Sequence, residues 1–143
     1  MTATGSSQAL TMHDRCVRAW LARHGVRNAY DDRMATFLIV GLRTIWERSR
    51  PSLGAVMLTA IFERVINVAQ RRHAELTRVG LRVHDRSSIE MLTPAAFTPE
   101  TSSAVPFTLA ELLDVLDRLT AQTLTPVLHR ALLAATIDGA PRC

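Results

Sequence analysis

The stretch PSLGAVMLTAIF, residues 51–62, carries no charge. Within it, residues 53–62 are apolar all round a helical projection, the pattern of a helix enclosed by others rather than lying on a surface. Twelve residues fall short of the roughly 18 needed to cross a bilayer, so the expectation is a core helix and no membrane span. Pro51 starts such a helix well, because its missing N–H would be unpaired in the first turn anyway. Gly80 offers a left-handed stop, giving a predicted long central helix over 51–79. After Glu63 the pattern turns amphipathic, with Val65, Val68, Ala69 and Leu76 facing in and Asn67, Arg71, Glu75 and Arg78 facing out.

Working outward, residues 28–49 read as the preceding helix. Met34, Phe37, Leu38, Gly41, Leu42, Ile45 and Trp46 recur on one side, and the residue before Pro51 disfavours helical geometry. A first helix is expected over 7–24, with Ser6 or Ser7 as its cap and Gly25 as its stop. On the other side, residues 81–106 hold Pro94, Pro99 and Pro106 among Ser and Thr, together with Ile89, Met91, Leu92 and Phe97. This composition predicts an ordered irregular connection laid over the bundle. Strand signals are nearly absent; Leu81 to Val83 is a short one. Thr108 with Glu111 reads as a capping box, and Phe107 is placed to staple onto Leu112, which predicts a fourth helix over 108–119. Its apolar face is Leu109, Leu112, Leu113, Leu116 and Leu119, and its wet face Glu111, Asp114, Asp117 and Arg118. Thr125 and Pro126 predict a fifth helix over 125–137, or a kink in one continuous helix. The expected fold class is all-α, a four- to five-helix bundle forming one domain over 1–143.

Composition sets the bounds. The 143 residues are 48% hydrophobic and 21% charged, with mean hydropathy +0.10. A disordered chain would be poorer in apolar residues and richer in charge. All 17 basic residues are Arg, which fits either GC-rich coding or a use for guanidinium chemistry. The first 90 residues hold 14 Arg against 8 acids, and the rest 3 against 5. That asymmetry suits an acidic partner, or docking between the two parts. Two cysteines, Cys16 and Cys143, make no disulfide framework and fit a reducing compartment. With no leader-like start at Met1, the expected location is the cytoplasm.

Chemistry has little foothold. His13 and Cys16 share a helix face, with His24 further along it, but a structural zinc site wants four ligands and no second pair lies near in sequence. These three are read as core-edge residues, and no metal or cofactor is expected. His73, between Arg72 and Glu75, has the placement of a phosphocarrier histidine, against the simpler reading of an exposed residue on a wet face. His84 and Asp85 are assigned to the connection. No phosphate loop, His-Glu-x-x-His or Cys-x-x-Cys motif occurs. No catalytic residue is assigned, and an enzyme is not expected.

Two functions remain. The first is a protein-binding regulatory or adaptor module, self-associating as a homodimer. Its expected seam uses Phe37, Leu38, Ile45, Trp46, Met57 and Phe62. The alternative is a DNA-binding regulator, whose phosphate contacts come from Arg71, Arg72, Arg78, Arg82 and Arg86. Against it, Glu75, Asp85 and Glu90 interrupt that run, and no aromatic residue is interleaved for base stacking.

Overall fold

A computed structural model describes residues 4–28, 31–83, 89–91 and 97–137. Among these, five α-helices and one two-stranded hairpin form: α1 Thr4–Arg23, α2 Met34–Arg72, β1 Leu81–Val83, β2 Ile89–Met91, α3 Pro99–Ser102, α4 Ala104–Leu119 and α5 Thr125–Ala134. A 3₁₀ segment, Ala74–Val79, joins α2 to β1. The molecule is all-helical in its architecture, as the periodicity predicts. Helices α1 and α2 both pack on α4 and α5, and the core lies where the four meet.

The helix faces follow the sequence pattern. Every apolar residue expected on the inner side of 34–46 is buried. Trp20 meets Phe37 edge to face with centroids 5.1 Å apart, and Trp46 meets Phe62 at 5.0 Å. Gly41 permits the closest approach: a Cβ there would stand 2.8 Å from Leu109 Cδ1 and 3.3 Å from Trp20. Gly25 (φ 82°) and Gly80 (φ 64°) both adopt the left-handed conformation expected of helix stops. Gly80, however, closes the 3₁₀ segment, since α2 itself ends at Arg72.

Several boundaries differ from expectation. Helix α1 begins at Thr4, so Ser6 and Ser7 lie inside it and not at its cap. The helices expected over 28–49 and 51–79 form one run, α2, with Pro51 inside it and a non-helical residue at Gly54 (φ 82°, ψ 158°). Proline takes a helical φ without strain, whereas this dihedral pair is open only to glycine, so the break falls three residues later than expected.

The stretch 53–62 is also not enclosed. Leu58 and Phe62 are fully buried, but Val56 is 88% exposed and Met57 50%. The described residues cover one side of this segment. By length and composition α2 meets the measure for a membrane-crossing helix, as core helices of soluble proteins also do; one third of its most apolar window is buried.

The connection is more regular than expected. Strands β1 and β2 pair antiparallel, Leu81 opposite Met91 and Val83 opposite Ile89. A capping box does occur, but at Thr98 and Thr101, where it starts α3 with Pro99 in the first turn. Helix α4 then starts at Ala104, which puts Thr108 in its interior with its hydroxyl buried and unpartnered. Burial of Ala104 and Val105 overrides the local cap signal. Leu119, expected inside, is 56% exposed, while Asp117, expected wet, is 5% exposed. Helix α5 stops at Ala134, and residues 135–137 run on without helix.

Candidate functional site

The sequence-predicted seam does not form a surface. Phe37, Leu38, Ile45, Trp46 and Phe62 are fully buried inside one chain, so none of them can meet a second one. Of the six, Met57 alone reaches the surface. The exposed apolar side chains beside it, Val56 and Ala60, belong to the same stretch of α2, just after the Gly54 break. Val56, Ala60 and Glu63 fall at i, i+4 and i+7, one line along the helix. Met57 and Arg64 form the line next to it. Arg50 and Glu63, both exposed, bracket the uncharged stretch between them.

Four of the five arginines assigned to the alternative, Arg71, Arg72, Arg78 and Arg82, are exposed at the end of α2 and beyond it. Arg86 lies outside the described residues, as do His84, Asp85 and Cys143. Arg72 lies over the ring of Phe107, 5.3 Å from its centroid. His73 does not ride on an exposed helix face. It caps α2, is half-buried and packs at 5.3 Å against Phe107.

A third constellation is assembled by packing. His13 of α1 is fully buried, and its Nδ1 lies 2.9 Å from His129 Nε2 on α5. The other nitrogen of His13, Nε2, lies 3.8 Å from Asp117 Oδ2 on α4 and has no hydrogen-bond partner among the described residues. The Thr125 hydroxyl, in the first turn of α5, donates to the second oxygen of Asp117. The Cys16 thiol approaches the His129 carbonyl at 3.9 Å. Three helices thus meet on one polar chain: Thr125, Asp117, His13, His129. His13 and Cys16 stand close in the sequence, but Asp117 and His129 lie more than 100 residues further along the chain, so no local pattern joins them.

The electrostatics follow from burial. Desolvation holds His13 below the ordinary imidazole range, against the pull of Asp117 and Asp114. It does the same to His129, where His13 adds to the effect and Asp117 opposes it. Burial pushes the Cys16 thiol up to about 11, so it is protonated at neutral pH and a poor nucleophile. Among the described residues no group of three or more His, Cys, Asp or Glu is placed to hold a metal ion. His24 is spent structurally: its Nε2 donates to the Ala135 carbonyl at 3.0 Å, beside the Trp20 indole N–H, also at 3.0 Å.

Comparison of the chain with protein-family models, with curated proteins and with solved structures finds no match. The functional reading therefore rests on the geometry alone.

Proposed function

We propose that this protein is a helical protein-binding module, regulatory or adaptor in role, that self-associates through the exposed face of α2 just after Gly54. The observation that carries this reading is the 88% exposure of Val56 beside the 50% exposure of Met57, within an uncharged stretch whose pattern calls for enclosure. A second copy supplies the missing enclosure. A two-fold axis passing between Val56 and Met57, with the helices antiparallel, sets Val56 opposite Met57 of the second copy. A patch complementary to itself is what an isologous dimer requires.

Light scattering over a concentration series tests this. A dimer is expected at micromolar concentration, and the Val56→Glu/Met57→Glu protein should remain monomeric, because both changes fall at exposed positions that the fold does not use. A monomer at high micromolar concentration overturns the reading. Binding to lipid vesicles by the unmodified protein alone would assign the face to a membrane instead.

The alternative, DNA binding, draws support from the exposure of Arg71, Arg72, Arg78 and Arg82. Binding of random duplex DNA that weakens steeply with salt is its test. No affinity at low salt ends it.

A further inference from the structure

Helix α5 has an unusual attachment. It is ten residues long, below the length at which a helix holds itself in water. Only Leu128 and Leu132 of it are fully buried. Polar tethers supply much of the rest: Thr125 to Asp117 at its start, His129 to His13 one turn on, and the Ala135 carbonyl to Trp20 and His24 at its end.

The turn that leads into it is strained. Ala121 (φ 50°) and Gln122 (φ 71°) are consecutive, and both adopt the left-handed conformation that side chains with a Cβ disfavour. A short strained hinge before a short, lightly held helix is the arrangement that favours exchange of that helix between copies. Residues 120–124, pulled out, reach about 17 Å at the extended-chain rise. The groove that α5 vacates, between α1, α2 and α4, fits any other α5 of the same sequence equally well.

The His13–His129 pair adds a trigger. In a hydrogen bond between two neutral imidazoles one ring donates and the other accepts. One proton taken from solvent can sit on an outer nitrogen, leaving that bond intact. A second places N–H against N–H at 2.9 Å, and the pair must part. Against two positive charges the surroundings offer one carboxylate that is not paired with an arginine, Asp117, 3.8 Å from His13 Nε2. On α1 the neighbour is the Cys16 thiol. On α4 the acidic groups are Asp117, already accepting from Thr125, and Asp114, paired with Arg118 at 3.0 Å. Every charged residue of α2, which packs on α5, is exposed to solvent. Arg130, the charged neighbour on α5 itself, is exposed too.

We propose that α5 is an exchangeable arm: when His13 and His129 together take up a second proton it leaves its groove, and it docks in the same groove of a second copy. This is a second interface, distinct from the α2 face proposed above, and it deepens the self-association reading by giving it a pH-dependent form.

The test uses the full-length Val56→Glu/Met57→Glu protein, in which the α2 face is disabled. Samples at high concentration are held at pH 5 and at pH 7.5, then all are returned to pH 7.5 and sized by light scattering. Hydrogen exchange, corrected for intrinsic rates, follows the α5 amides at both pH values. The expected result is a dimer formed at pH 5 that persists after return, with α5 protection falling up to about 100-fold per pH unit below the ordinary imidazole range. His129→Gln keeps a donor towards His13 but removes one titrating group, so that dependence should drop to about tenfold per unit. Ala121→Gly/Gln122→Gly relieves the hinge, since glycine accepts positive φ, and should cut the acid-formed dimer at least tenfold. A monomer throughout overturns the proposal. So does loss of α5 protection with no dimer, or a dimer formed while α5 stays protected. A monomer of the unmodified protein at pH 7.5 would count against the α2 face alone and leave this result intact.

Discussion

Replacing Gly54 by Ala isolates backbone strain from packing. The residue sits at φ 82°, ψ 158°, and a Cβ built there meets nothing within 4 Å. No steric clash can therefore account for a loss of stability. What remains is the cost of forcing an L-residue into a conformation open to glycine, on the order of 1–3 kcal/mol. Two smaller effects oppose it. Alanine has less freedom to lose from the unfolded chain, and it favours helix by about 1 kcal/mol if the break were to close. The break cannot close freely, because Trp46 before it and Phe62 after it are locked edge to face at 5.0 Å. Strain thus wins, with a net loss of about 1–2 kcal/mol, a fall in Tm of roughly 3–8 °C for a domain of this size. Circular dichroism at one low protein concentration, with urea unfolding as a second measure, reads the change. An unchanged or raised Tm would refute the reasoning and mean that α2 runs straight through residue 54.

Other predictions follow from the same geometry. Phe62→Ala should cost about 3–5 kcal/mol, because it empties a fully buried site against Trp46; a urea-derived loss below 2 kcal/mol would contradict the packing. Thr98→Ala removes the cap of α3 and should cost about 1 kcal/mol. Thr108→Val removes a buried, unpartnered hydroxyl and should raise stability by about 1 kcal/mol; a loss instead would restore the capping role expected from sequence. In a Cys143→Ser background, Cys16 should react with a thiol reagent at pH 8 only as fast as the protein opens, since burial keeps it protonated; reaction at the rate of a free thiol would place it on the surface. The lowered pKa values of His13 and His129 mean that the folded protein binds fewer protons there than the unfolded chain. Their stabilising contribution is complete above about pH 6.5 and is lost as pH falls through the lowered folded values, by up to about 2.7 kcal/mol per unit. Asp31, held below the usual carboxylate range by Arg33, acts in the same direction only below about pH 4, so unfolding measured against pH should separate the two windows.

The anatomy of α5 and that of the α2 face bear on one question: how a small helical chain presents apolar surface. On α2 the surface is open within one copy, because no described element lies over Val56 and Met57. On α5 it is covered by an element short enough to leave. The first suits constitutive association, the second association under acid control.

The features legible in the chain were local ones. Apolar residues at three- and four-residue steps made Met34 to Trp46 a helix with one buried face, since periodicity is a property of neighbours along the chain. Gly25 was readable as a left-handed helix stop because only glycine takes that conformation freely; Gly80 takes it too, but closes the 3₁₀ segment after α2 has ended. Signals that depend on which neighbours gather from afar were not readable. Uniform apolarity over 53–62 cannot say how many helices surround it, and the described helices cover one side. Thr108 and Glu111 have the spacing of a cap, yet burial of Ala104 and Val105 carries the helix past them. Asp117 looks like a wet residue within its own helix, and packing encloses it. His13 meets His129 across 116 positions, a contact that no local pattern encodes. These emerge on packing, because burial and the meeting of side chains are set by how helices pack, and a sequence period fixes the face of each helix without naming its neighbour.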